Sequence, residues 1–141
     1  MSAKAFVDTN ILVYAHDPAS GAKHDRAKAL VSRLWEQRSG VVSTQVLQEL
    51  YVNLCKVAKK PIPQAEAKRM LADYLTWELV VNDGESVLEA LELEERYLIS
   101  FWDALIVQAA NAAGVENLYS EDFNHGQMYG SVMAVNPFAE S

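Results

Sequence analysis

The stretch Ala5-Phe6-Val7-Asp8-Thr9-Asn10-Ile11-Leu12-Val13-Tyr14 decides how the chain is read. Residues 5–7 form a short apolar run with a β-branched member, which reads as a buried strand. Asp8 follows where that run stops and a helical apolar pattern begins. Asp8 is therefore expected at the carboxyl end of a strand, the edge where open α/β sheets bind ligands because loops there gather side chains from several strands. A carboxylate in that position can also cap the helix starting at Thr9 or Asn10, and on Asp8 alone the cap is the simpler reading. The remaining segments decide what meets Asp8 at that edge.

Working outward, strand-like and helix-like segments alternate. Residues 10–15 read as a short helix, and His16-Asp17-Pro18 with Ser20-Gly21 as a turn. A helix is predicted over 22–37, with Ala27, Leu30, Val31 and Leu34 on its apolar side and Lys23, Arg26, Lys28 and Arg33 on its wet side. Residues 40–43 read as a strand. Ser43 or Thr44 caps the next helix, where Val46, Leu47, Leu50, Leu54 and Val57 make a stripe with Glu49 at its margin. Pro61-Ile62-Pro63 stops that helix, and residues 64–76 form another that carries Met70, Leu71, Tyr74 and Leu75. Residues 77–81 are strand-like and Asn82-Asp83-Gly84 is a loop. Val87, Leu88, Leu91 and Leu93 mark a short glutamate-rich helix. Ser100 caps a buried helix with Asp103 in the capping-box position, and Gly114 ends it. Leu118-Tyr119 and residues 132–135 are the last strand candidates, and His125-Gly126-Gln127 reads as a loop. Such alternation implies a three-layer α/β/α sandwich with a central parallel sheet, in one domain over 1–141.

Composition narrows the function. Half of the 141 residues are hydrophobic, enough for a substantial core. Acidic residues exceed basic ones by 19 to 12, for a net charge of -7, so the surface as a whole does not attract a polyanion. The single Cys55 cannot form an intrachain disulfide, which fits a reducing compartment and a structural thiol. Residues 1–6 are too short for a secretory signal. The apolar stretch 104–115 is too short for a bilayer and is interrupted by Gln108 and Asn111, so a soluble cytoplasmic protein with no membrane contact is expected.

The strand ends near Asp8, Ser43 and Ser120 share one sheet edge, and Glu49, Asp103 and Asp122 fall close to it. Four carboxylates then converge. Two unit charges about 5 Å apart at an effective dielectric of about 20 repel by roughly 3 kcal/mol, so about six such pairs cost on the order of 10 to 20 kcal/mol. A domain has only about 5 to 15 kcal/mol of net stability. The cluster must be protonated, paired with bases or bound to cations, and no Lys or Arg follows Arg96 to pair Asp103 and Asp122 locally. Hard oxygen ligands without paired His/Cys spacing favour Mg²⁺ or Mn²⁺ over zinc.

Phe6-Val7-Asp8-Thr9-Asn10, Gln48-Glu49-Leu50, Ser100-Phe101-Trp102-Asp103-Ala104-Leu105-Ile106 and Tyr119-Ser120-Glu121-Asp122-Phe123, in this order, resemble the PIN-domain nucleases. The likeness spans essentially the whole chain and is greatest to the VapC toxins of bacterial toxin-antitoxin pairs. The resemblance implies a metal-dependent endoribonuclease that leaves a 5′ phosphate and a 3′ hydroxyl. Onto this chain it carries an acidic site of Asp8, Glu49, Asp103 and Asp122, supported by Asn10 and Ser120. It also implies a cognate antitoxin, a homodimer formed through the apolar surface of residues 45–57 or 64–76, and cleavage in a loop of tRNA or ribosomal RNA. Glu121 competes with Asp122 for the fourth place, and Leu98 stands where relatives often have glycine.

Other readings stay beside this one. A PIN nuclease of RNA maturation would carry the same residues, whereas a non-catalytic PIN-like binding module would not need all four acids. A receiver domain would need a late Lys, and none follows Lys68. Ser43 and Ser120 lack a sequence-evident His and acid partner for nucleophilic catalysis. The series Lys23, Arg26, Lys28, Arg33 and the cluster Lys56, Lys59, Lys60 read first as solvated helix faces, yet they are the dense basic patches available to RNA phosphates. His16 and Asp17 read as a solvated turn, and Trp35, Trp77 and Trp102 as core residues.

Overall fold

The computed structural model describes residues 3–139. Among them the chain runs β1 (Ala5–Val7), α1 (Thr9–Ala15), a 3₁₀ turn (Pro18–Ser20), α2 (Ala22–Gln37), β2 (Gly40–Ser43) and α3 (Thr44–Val52), then a π-helical turn (Asn53–Val57). It continues through α4 (Gln64–Tyr74), β3 (Glu78–Val80), α5 (Gly84–Tyr97), α6 (Phe101–Ala112), β4 (Asn117–Tyr119), β5 (Met128–Tyr129) and β6 (Val132–Val135). One sheet orders these strands β3-β2-β1-β4-β6-β5. β1 to β4 and β6 pair in parallel, with Phe6 opposite both Val41 and Leu118.

Every residue of β1 and β2 is buried, which requires cover on both faces of the sheet. α1 packs on α2 and α5 on α6, and Phe6, Ile11, Leu12, Val41, Leu50, Ile106 and Leu118 lie in the core. Gly40 is required by packing: a Cβ there would stand 2.3 Å from the Trp77 ring, which lies directly on the β2 backbone.

The expected α/β/α sandwich is present, with four local corrections. The sheet is not wholly parallel, because β5 adds an antiparallel edge strand next to β6. α5 is 14 residues long, not short, and Val87, Leu88 and Leu91 are exposed; the buried positions are Ser86 and Ala90. The reciprocal capping box belongs to α5, where the side chains of Asp83 and Ser86 each accept from the other's backbone N–H. At α6, Ser100 Oγ accepts from Asp103 N at 3.1 Å. Finally, the apolar stripe starting at Val46 ends not in α-helix but in the π-helical turn, and Val57 is exposed.

Leu98 ends α5 in the left-handed region at φ 55°, with its side chain 89% exposed. An L side chain there costs about 1 to 2 kcal/mol, and exposure returns little of it through burial. Leu98→Gly is accordingly expected to stabilise the fold by about 0.5 to 1 kcal/mol net of the added chain entropy, read as a rise in melting temperature. An unchanged or lower melting temperature would show that this strain is not relieved. Among the described residues no helix is long and apolar enough to cross a membrane.

Candidate functional site

β1 is where the sheet reverses its order: the chain leaves it for β2 on one side and returns to β4 on the other. Crevices outside the carboxyl ends of strands at such a switch point are the ligand sites of open α/β sheets. Here a crevice of about 310 Å³ is lined by Asp8, Glu49, Asp103 and Asp122, together with Thr9, Asn10, Tyr14, Gln45, Asn53 and Trp102. The four acids anticipated from sequence therefore share one cavity.

Asp8 both caps a helix and lines the crevice. It caps α1, with Oδ1 accepting from Thr9 N at 2.7 Å, and Oδ2 accepts from Ser120 Oγ at 2.7 Å. Because β1 pairs in register with β4, the backbone sets Asp8 beside Ser120, and Asp8 N donates to Tyr119 O at 2.9 Å. Asp8 is only 4% exposed, and burial pushes its carboxyl up from 3.8 to about 7 against the pull of these two hydrogen bonds, with Asp122 and Glu49 adding repulsion. Ser120 is fully buried and acts as a hub, since its hydroxyl also accepts from Asp122 N at 3.1 Å. Asn10 Nδ2 donates to Asp122 Oδ2 at 2.9 Å. Asn10 and Ser120 thus contact the acids they were expected to support.

Glu49 reaches the crevice from the second turn of α3 and accepts from Thr9 Oγ1 at 2.9 Å. Burial raises its carboxyl above the ordinary range, opposed by the Thr9 bond. Asp103 sits in the first turn of α6, raised by burial and then by Asp122. Thr9, Gln45 and Asn53 were not singled out from sequence. Asn53 lies four residues after Glu49, and that helical spacing was the available signal.

No cationic side chain pairs with these four acids among the described residues; the two ion pairs there are Lys4–Glu78 and Lys23–Glu121. Nor do three His, Cys, Asp or Glu side chains already surround a single point. The acids are held separately, Asp8 by Ser120, Asp122 by Asn10 and Glu49 by Thr9. The donor chemistry still fits a hard divalent ion, because the acidic lining offers oxygen and contains neither His nor Cys.

Glu121 is turned to another task. It accepts from Tyr14 Oη and from Lys23 Nζ, the latter at 2.8 Å, while the Lys23 ammonium also lies 5.0 Å from the Tyr14 ring centroid and 5.4 Å from that of Phe138. Burial raises the Glu121 carboxyl, and the Lys23 and Tyr14 bonds outweigh it and hold it below its usual range. Lys23 is consequently not a free basic residue. Arg26 and Arg33 make long bonds of 3.4 Å to Pro137 O and Tyr119 Oη. Neither these residues nor Lys28, Lys56, Lys59 and Lys60 line the crevice.

The tryptophans divide. Trp77 is buried as expected, Trp35 is 37% exposed while packing on Tyr74 and Trp77, and Trp102 is 63% exposed at the crevice wall, so it is not a core residue. His16 bonds Tyr74 Oη through Nε2 at 2.7 Å and is part-buried, not freely solvated, whereas Asp17 caps the 3₁₀ turn.

Fold and crevice together define an α/β protein whose site is a set of carboxylates at the switch point of its sheet. The PIN domain profile matches residues 5–130, and the chain belongs to that family. Among solved structures, VapC20 from Mycobacterium tuberculosis, a sarcin-ricin loop cleaving toxin, superposes with a TM-score of 0.65 at 23% identity, covering 84% of this chain and 92% of that one. A toxin-antitoxin complex from Klebsiella pneumoniae gives 0.67 at 23% identity, covering 96% and 98%. VapBC2 from Rickettsia felis, bound to a DNA fragment from its promoter, gives 0.62 at 20% identity, covering 92% and 96%. Among curated proteins none matches this chain.

Proposed function

We propose that this chain is a Mg²⁺- or Mn²⁺-dependent endoribonuclease toxin that hydrolyses a phosphodiester bond in a loop of a tRNA or ribosomal RNA and is restrained by a cognate antitoxin. The observation that carries this reading is Asp8, a carboxylate buried at the sheet's switch point beside three further acids that no cationic side chain neutralises among the described residues. Membership of the PIN domain family supports it, as do structural neighbours that are a sarcin-ricin loop cleaving toxin and toxin-antitoxin complexes.

In this reading Asp8 and Asp103 hold the ion directly, and Glu49 and Asp122 do so directly or through water. The bound ion supplies the positive charge that acidifies a water and offsets charge developing on the phosphoryl oxygens. The chain's own groups prepare for it. Ser120 fixes Asp8 and the backbone of Asp122 through one hydroxyl, Asn10 aims Asp122, and Thr9 fixes Glu49 Oε1. Glu121, occupied by Lys23 and Tyr14, anchors the loop that carries Asp122 and leaves Asp122 as the fourth acid.

A recessed acidic crevice accepts one presented phosphate more easily than a stacked A-form duplex, and a loop can splay its backbone into it. Arg26, Lys28, Arg33, Lys56, Lys59 and Lys60 are the cations available to grip a flanking stem. The antitoxin is expected to place an Arg or Lys among the acids in place of the ion's charge. Homodimerisation belongs to the same reading, and the α3–α4 groove lined by Tyr51, Leu71, Ala72 and Leu75 offers a surface for it.

Sequencing the 5′-phosphate ends formed in cells that express the protein tests this function. Discrete cuts in one stable structured RNA are expected. Dispersed cuts across unstructured messages, or none, would overturn it.

A further inference from the structure

Trp102 has no place in the chemistry above. The residue is 63% exposed on the wall of the acidic crevice, one position before Asp103 in the first turn of α6. A single exposed aromatic on a protein surface needs no explanation. This one, however, is held in position. Gln45 Nε2 donates to its carbonyl at 3.1 Å, and Phe101 meets the ring edge to face with centroids 5.2 Å apart. The first contact holds the backbone of Trp102 beside Asp103 and the second packs on the indole, and the residue stays exposed.

The surrounding charge gives such a ring a use. A chain of net charge -7, with Lys23 committed to Glu121 and an uncompensated acidic crevice, repels the phosphates it is proposed to cut. Beside a bound ion and the basic helix faces, an interaction that does not depend on charge would add affinity at the crevice. Stacking of a nucleobase on an aromatic face is such an interaction, tolerant of sequence because every base has a π face. We propose that Trp102 is the stacking platform for a nucleobase next to the scissile phosphate. A base laid on the indole places its own phosphodiester beside Asp103, so the ring both binds the substrate and sets its register. This rests on reading the crevice as an RNA-cleaving site.

Stacking is read apart from cleavage by titrating the Asp8→Asn protein with short single-stranded oligoadenylate and following indole emission. Quenching is expected, and adding Trp102→Phe should remove most of the signal while adding Trp35→Phe should not. In the Asp8-containing enzyme, acting on a stem-loop that carries the mapped cut site, Trp102→Ala should raise KM by about 5- to 150-fold, the range for loss of one stacked base. Trp102→Phe should restore most of that loss. The salt dependence of KM and the rise in melting temperature on adding Mg²⁺ should both stay as in the parent. Quenching that persists without Trp102, or a Trp102→Ala KM equal to the parent's, would overturn the platform and leave the nuclease reading standing. Oligoadenylate quenching that depends on Trp102 in a protein that cleaves no RNA would sink the nuclease reading and, with it, the placement beside a scissile phosphate, leaving Trp102 as a base-binding ring alone. An unchanged KM accompanied by loss of antitoxin binding would assign Trp102 to a protein interface and likewise overturn it.

Discussion

Asp8→Asn and Asp103→Asn are each expected to lower RNA cleavage by on the order of 10³-fold or more while the protein stays folded. In the proposed reading the two substitutions remove ion ligands carried by different elements, one at the end of β1 and one in the first turn of α6. Asparagine keeps the shape, and at residue 8 its amide oxygen can still cap α1 while its amide nitrogen donates to Ser120 Oγ, so lost activity would not report a lost fold. Replacing a buried carboxylate by a neutral amide also removes the burial penalty, so Asp8→Asn should melt above the metal-free parent near pH 8. Single-turnover cleavage assays with circular dichroism melts of the same preparations check both halves. Cleavage within a few-fold of the parent in either variant would remove that residue from the ligand set.

The second large effect is the response of stability to pH and to divalent ions. Burial raises the Asp8 carboxyl from 3.8 to about 7, so between those values the folded chain holds a proton that the unfolded chain has released. Stability of the metal-free protein is then fully present below about pH 4 as far as this group is concerned, and is lost as pH rises through 7. The loss amounts to about 4 kcal/mol at 1.36 kcal/mol for each pH unit of separation. Glu49 and Asp103, both also raised, add in the same direction. Divalent ions require the ionised acids, so their stabilisation should grow as that intrinsic stability falls. At about 100 times the dissociation constant a bound ion adds about 2.7 kcal/mol, or about 10 °C in melting temperature for a chain of this size. Thermal melts across pH 5 to 8, with chelator and with Mg²⁺ or Mn²⁺, should show the chelated protein melting lower at pH 8 than at pH 5.5. The gap between the two curves should widen toward pH 8. A chelated protein that melts higher at pH 8, or curves that coincide throughout, would show that Asp8 is not held in a site that needs a cation.

Much of this site was legible because its residues sit at the ends of regular elements. Val7-Asp8 and Val42-Ser43 mark strand ends in the local pattern, and parallel pairing does the rest by bringing those ends to one edge. Between Glu121 and Asp122 the local order Ser120-Glu121-Asp122 favours Asp122, and the structure adds a long-range reason that the local pattern does not hold: Lys23 and Tyr14, 98 and 107 residues away, engage Glu121. β5 left no periodic signal because two residues are too few to alternate, and its strand form comes from pairing with β6. The exposure of Trp102 was hidden by its helix, since α6 is apolar on most faces and the pattern does not say which side the crevice opens. On α5 the apolar positions marked a helix without marking its buried side: Val87, Leu88 and Leu91 are exposed, while Ala90 is buried with Leu93 packed beside it.

The hydrogen bond from Ser120 to Asp8 joins residues 112 positions apart. During synthesis it cannot form until β4 has left the ribosome and slotted in beside β1, and Asp122 emerges only after that. A nascent chain therefore carries Asp8 and Glu49 through most of its translation without a finished crevice. In the proposed reading, cleavage competence comes late in the growing polypeptide, and a chain released before residue 122 is expected to be inert.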